Sequence, residues 1–261
     1  MRALHVLKNV DIIACEDTRH SSQLLSAYGI KKKLIALHQH NELDKAERIT
    51  KIVVDGNSVA YISDAGTPAI SDPGAALVES FHNLKLDVFT IPGPSALIAA
   101  FSISGFETSH FQFFGFLPNT MGKRKKTLIN IYNSNITTIF YESPHRIIKT
   151  LKAMCEIFGN DRLVFIAREL TKIFEANYRG KLGKLIDEIE NNKDNQKGEF
   201  VLIVSALKKD TQKGKILPLE EALKITLNQI SFKESVNVIS KIYNVGKKEI
   251  YNLALEIKKN E

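Results

Sequence analysis

The chain has 261 residues, 44% hydrophobic and 25% charged, a composition that excludes a disordered polymer and allows a sizeable core and about two domains. No apolar run approaches the roughly 18 residues needed to cross a bilayer, and the strongest stretches, "ALIAAFSI" and "FVLIVSAL", have the length of core elements. Two cysteines, Cys15 and Cys155, in apolar contexts exclude a disulfide scaffold, and the net charge of +7 permits a polyanionic partner.

Met1 and Arg2 lead into an amphipathic pattern rather than a signal-peptide core, so the cytoplasm is the expected location. From there strands and helices alternate. "DIIACED" (11–17) reads as a strand, "SSQLLSAYG" (21–29) as a helix stopped by Gly29, and "KLIALH" (33–38) as a strand. "ELDKAERITKIVVDG" (42–56) is an amphipathic helix, "SVAYIS" (58–63) a strand, and "DPGAALVESFHN" (72–83) a helix with Asp72 as N-cap and Pro73 first. "DVFTIP" (87–92) reads as a strand leading to a helix from Ser95. This order predicts a mostly parallel sheet with helices on both faces.

A second α/β block begins near Phe111, after a hinge at 102–112. "HFQFFGFLP" is extended and "KRKKTLINIYN" a basic helix. "TTIFYES" (137–143), "LVFIAREL" (163–170) and "GEFVLIVSAL" (198–207) are strands, separated by the helices "PHRIIKTLKAMCEIFG" (144–159) and "KLIDEIENN". The expected domains are 1–105, 106–208 and a helical extension, 209–261. The tail from Lys208 holds eleven lysines against seven acids and reads as three short helices with a turn at 244–246. It is either a helical cap or a nucleic-acid arm.

Ligands of an open parallel sheet bind outside the carboxyl ends of its strands. Four unusual sequences fall there: "CEDTRHS" (15–21), "SDAGTPAISDPG" (63–74), "IPGPSA" (91–96) and "YESPHR" (141–146). In the second, Gly66 and Gly74 permit close backbone approach, Pro68 and Pro73 stiffen the loop, and Asp64 can accept hydrogen bonds from ribose hydroxyls. In the third, Pro92, Gly93 and Pro94 make a tight turn and Ser95 caps a helix whose free amides face the cleft. The pair predicts a pocket for a nucleoside-like ligand. Neither GxxxxGK[ST] nor GxGxxG occurs, which argues against ATP, GTP and NAD. Glu16, Asp17, Arg19 and His20 form either a structural ion pair or a sugar and phosphate contact, and Glu142, His145 and Arg146 offer a similar set. His38 and His40 lack a third zinc ligand at suitable spacing, so no metal is expected.

The segments "ACEDTRHSSQLL", "YISDAGTPAISDPG", "IPGPSA", "FFGFLP", "FYESPHRI", "ARELTKIFE" and "GEFVLIV" resemble the ribosomal RNA small subunit methyltransferase I family, a branch of the tetrapyrrole (class III) methylases. The resemblance runs through essentially the whole chain. It implies two α/β domains of the tetrapyrrole methylase type with a small helical C-terminal extension, and S-adenosylmethionine-dependent 2′-O-methylation of a cytidine in small-subunit (16S) ribosomal RNA. It further implies a homodimer acting on that RNA or on the assembled small subunit. The cofactor would lie on Asp64, Ala65, Gly66, Thr67, Pro68, Ser71 and Asp72, and on Pro92, Gly93, Pro94 and Ser95. Glu16, Asp17, Glu142 and His145 are candidate bases, left unranked, with Arg19 beside them. Arg19, Arg146, Lys123, Arg124, Lys125, Lys126, Lys247 and Lys248 are candidates for RNA contact. A precorrin-type methyltransferase and a non-catalytic RNA-binding protein are the competing readings.

Members of that family usually begin with a strand and a "TPIGN"-like loop, whereas this sequence opens at "MRALHVLKNV", inside the following helix. The expectation is that this exact chain binds cofactor weakly or is inactive.

Overall fold

β-Branched runs build the first sheet: β1 (Ile12–Cys15), β2 (Lys33–Ala36) and β3 (Val59–Ile62), all parallel, in the order β2-β1-β3. Successive side chains alternate between two apolar clusters, as a period of two requires. Ile12, Ala14, Ile35, Val59 and Tyr61 pack with Ala46 and Ile49 of α3 (Glu42–Val54) and Leu77 of α4 (Ala75–Asn83). Ile13, Leu34, Ala60 and Ile62 pack on the opposite face with Leu7 of α1 (Arg2–Asn9) and Leu25 of α2 (Thr18–Ala27). The chain leaves β1 toward β2 on one side and returns to β3 on the other, so the order reverses between β1 and β3. A crevice at a carboxyl-end switch point is the consequence.

The computed structural model describes residues 1–106, 109–207 and 217–259. By its internal contacts the chain divides into units 1–207 and 208–261. The first unit also holds a five-stranded sheet, β4 (Phe111–Phe116), β5 (Thr137–Glu142), β6 (Leu163–Arg168), β7 (Ala176–Lys181) and β8 (Phe200–Val204), in the order β4-β5-β8-β6-β7. Only β4 and β5 run parallel; the other neighbours are antiparallel. Phe140, Ile166 and Leu202 face α6 (Met121–Ser134), α7 (Ile147–Phe158) and α8 (Leu182–Glu190). Ile139, Phe165 and Ile203 face Leu97 and Ala100 of α5 (Ala96–Ile103). Thus α5, which follows the first sheet in sequence, packs on the second.

Two expectations fail here. The "DVFTIP" segment forms no strand: no described residue pairs with it, and Val88 and Phe89 are 43% and 78% exposed. A strand needs a hydrogen-bonded neighbour, which apolar content alone does not supply. The helix expected from Asp72 begins at Ala75, with Gly74 as its cap at φ 130°. A carboxylate from another helix does the capping, because Glu42 Oε1 accepts from Gly74 N at 2.8 Å and Ala76 N at 2.9 Å.

The second unit contains α9 (Leu219–Gln229), α10 (Phe232–Tyr243) and α11 (Lys247–Lys259) around Leu223, Val236, Ile239, Ile250 and Ala254. Ser231 and Glu234 form a capping box at the start of α10, and Asn244 ends it in the left-handed conformation. The expected domain edge at 208/209 and Lys208, Lys209, Lys213 and Lys215 lie outside the described residues.

Candidate active site

The carboxyl ends of β1 and β3 meet through Asp17 N, which donates to Asp64 Oδ1 at 3.3 Å. Asp17 is also the N-cap of α2, accepting from Arg19 N at 2.8 Å, and its other oxygen lies 2.9 Å from Arg19 Nη2. Hydrogen bonds from the Arg19 side chain and backbone hold the Asp17 carboxyl down at about 2. His20 Nδ1 sits 3.5 Å from Asp64.

The loop after β3 is bent by four left-handed residues, Gly66, Ala69, Ser71 and Gly74. Two of these are not glycine, and such strain collects at functional sites. Tyr61 OH donates to Pro73 O at 2.7 Å, and Ala69 N to Pro73 O at 3.2 Å, which folds the loop back on itself. A Cβ on Gly74 would sit 2.6 Å from the Tyr61 ring, so no side chain fits there. At Gly115, φ 73°, β4 shifts register against β5, and a Cβ would meet Ser71 Oγ at 3.0 Å. The glycine and proline content of this connection therefore brings the loop against β4.

Between the loop and the second sheet lies a cavity of about 440 Å³, within the range of small-molecule sites. Ala65, Gly66, Thr67, Ser71 and Asp72 line one wall, and Ser95 and Ala96 bring the amino end of α5. Asp64, Pro68, Pro92, Gly93 and Pro94 do not line it. Phe116, Tyr141, Ala167, Leu170, Glu199 and Val201, which the sequence reading did not single out, complete the walls with Glu142. All lie at strand ends on the same side, a placement that needs the strand order. The Phe116 and Tyr141 rings meet edge to face at 5.8 Å. Another groove, about 460 Å³, lies on α3 and α4 away from these strand ends.

Among the described residues no lysine, arginine or histidine lines the cavity, whereas Asp72, Glu142 and Glu199 do. Glu142, a candidate base, has a fully buried side chain. It accepts from Ser143 N at 2.8 Å and Thr150 Oγ1 at 2.6 Å, and lies 3.2 Å from Arg146 Nε. Arg146 donates in turn to Leu117 O at 2.5 Å and to Asn119 Oδ1. Arg124, expected to touch RNA, is 4% exposed and donates to Pro118 O and Asn119 O. The two arginines bind the 117–119 turn, and burial with hydrogen bonding removes Arg124 from the RNA candidates. His145 is exposed and does not line the cavity. Lys123, Lys126, Lys247 and Lys248 are exposed, while Lys125 is paired with Glu156. Burial and the like charges of Glu16 and Asp64 push the Asp72 carboxyl up to about 6.

The family model for Tetrapyrrole (Corrin/Porphyrin) Methylases matches residues 1–186. A ribosomal RNA small subunit methyltransferase I of Vibrio cholerae is 42% identical over 258 residues, covering 98% of this chain and 88% of its own length. One from Xylella fastidiosa is 48% identical over 203 residues, covering 78% of this chain and 74% of its own. The crystal structure of the methyltransferase CobJ superposes with a TM-score of 0.57 at 19% identity, over 78% of this chain and 87% of that one, and shows the fold alone. The strand-end cavity, the mixed second sheet and these relatives agree: the chain belongs to the tetrapyrrole methylase family and, within it, to the ribosomal RNA small subunit methyltransferase I family.

Proposed function

We infer that the chain transfers a methyl group from S-adenosylmethionine to the 2′-oxygen of a cytidine ribose in small-subunit ribosomal RNA. The observation that carries the cofactor is the cavity's lining, which combines carboxylates, small loop residues and aromatic edges and, among the described residues, contains no basic side chain. Such a lining suits a cationic nucleoside and opposes a phosphate. The residues therefore fit the group. S-adenosylmethionine, when bound, supplies a methyl on a sulfonium that is its own leaving group.

The chain's part is to hold and align. Residues 65–67 and 71–72 supply backbone and Asp72, and α5 brings its amino end beside Ser95, which makes no side-chain cap of its own. Phe116 and Tyr141 present an apolar wall to a flat ring. Glu142 positions Arg146, which in turn holds the 117–119 turn. Asp17, held at about 2, is a weak base. Support for RNA comes from the exposed Lys123 and Lys126 on α6 and from Lys247 and Lys248 at the start of α11. There, cations oppose the helix dipole and gain from an RNA phosphate. Exposed apolar residues on α5, Ile98 and Ile103, support the homodimer reading. No helix among the described residues is long and apolar enough to cross a membrane, in keeping with a cytoplasmic role.

Calorimetric titration of the full chain with S-adenosylmethionine tests the cofactor. One site per chain is expected, with ATP and NAD failing to compete. A folded chain that binds ATP instead overturns the reading.

A further inference from the structure

We propose that Asp72 makes the cleft selective for the charge of its cofactor, holding the cationic sulfonium and releasing the neutral thioether that remains after methyl transfer. This rests on the functional reading above.

Three carboxylates line the cavity, and two are already compensated. Glu142 forms an ion pair with Arg146 at 3.2 Å and accepts two hydrogen bonds, from Ser143 N and Thr150 Oγ1. Glu199 lies 2.9 Å from Lys172 Nζ, a cation it shares with Glu169, and its mostly exposed side chain is screened by solvent. Asp72 has no ion pair among the described residues. The groups that face it are Glu16 after β1, Asp64 and Ser63 after β3, Tyr61 within β3, and Tyr141 on β5. Only the Ser63 hydroxyl favours its ionised form; Glu16 and Asp64 oppose it, as does burial. His20, the nearest cation-forming group on Asp64, belongs to the exposed edge. The cavity wall therefore holds one carboxylate whose charge a ligand must balance.

Two consequences follow from charge alone. A cation in the cavity favours the ionised form, so binding of the sulfonium releases a proton from Asp72 to solvent wherever that carboxyl was protonated. The thioether carries one positive charge fewer and leaves Asp72 free to take the proton back. Because the carboxyl sits near 6 in the empty site, the exchange falls between about pH 5 and 7.5. At the upper end the cleft prefers cofactor over product, and at the lower end the preference fades.

The test is calorimetric titration of the full chain with S-adenosylmethionine and, separately, S-adenosylhomocysteine at pH 5, 6 and 7.5, in two buffers of different ionisation heat. The ratio of the two affinities is expected to rise about tenfold in favour of the sulfonium across that range, the size of a one-unit shift in one carboxyl. Net proton release is expected with the sulfonium only. Asp72→Asn should flatten the ratio and weaken the sulfonium at pH 7.5 by about tenfold, leaving the thioether within about twofold. Asp72→Glu should restore the slope. A pH-independent ratio in the unmodified chain, or an unchanged slope in D72N, overturns the inference while leaving the methyltransferase reading intact. Failure of both ligands to bind the folded chain overturns that reading and the inference with it.

Discussion

Asp72 holds its charge against burial and two like-charged neighbours, and that has a cost to the fold. Its carboxyl binds a proton in the native state at pH values where the unfolded chain, near 3.8, has lost it. Between about pH 4 and 6 the folded state binds more protons, so this group makes stability fall as pH rises. D72N should therefore stabilise the unliganded chain by about 1–2 kcal/mol at pH 7 and by nearly nothing at pH 4. Thermal melts at the two pH values check this; equal gains at both would contradict it. Glu42 acts in the opposite sense. It satisfies two orphan amides of α4, and Glu42→Ala should cost about 1–2 kcal/mol in urea unfolding. The two residues also differ in legibility. Asp72 stands inside a glycine- and proline-rich motif that marks a binding loop, whereas Glu42 caps a helix 32 positions away, a partnership that no local pattern encodes.

At the scale of elements, β5 and α7 are joined by a buried polar strap. Thr150 donates to Glu142, Glu142 pairs ionically with Arg146, and Arg146 donates to the turn after β4. Removing one partner strands a buried charge, so Glu142→Gln should destabilise by about 3–5 kcal/mol and Thr150→Val by about 1.5–3 kcal/mol. Arg124→Ala should likewise lower the melting temperature, because its guanidinium holds Pro118 O and Asn119 O. Lys126→Ala, on the exposed side of the same helix, should leave stability within about 0.5 kcal/mol and weaken RNA binding instead. Both arginines sit in "KRKK" and "PHR", where a charge run reads as a solvated or RNA-facing surface. Only the fold shows which member of the run turns inward. Hydrophobic periodicity found most helices and strands of the first unit, since each carries its own apolar stripe. It missed β7, "ANYRGK", an edge strand whose alternate residues are exposed and whose Arg179 reaches Ser104 O at 2.8 Å. It overread "DVFTIP", where strand-like composition finds no neighbour to pair with among the described residues.

For the molecule as a whole, the chain divides into units 1–207 and 208–261. The cavity and all its lining belong to the first unit. The second has its own apolar core and exposed lysines. A chain ending at Leu207 should keep its melting temperature within about 3 °C, since α9, α10 and α11 pack around an apolar core of their own, and keep its cofactor affinity while binding RNA more weakly. A collapse in melting temperature would contradict that independence. The fold class was legible because alternating strands and helices admit few topologies. The cavity's aromatic and acidic walls were not, because they meet only once strand order and the β4 register shift are known. The most direct test of the central claim is nucleoside mass spectrometry of small-subunit RNA after incubation of unmodified subunits with the chain and methyl-labelled S-adenosylmethionine. The account predicts labelled 2′-O-methylcytidine at one site per subunit. Label on a base, or unlabelled RNA while a precorrin-type macrocycle becomes methylated under the same conditions, would contradict it.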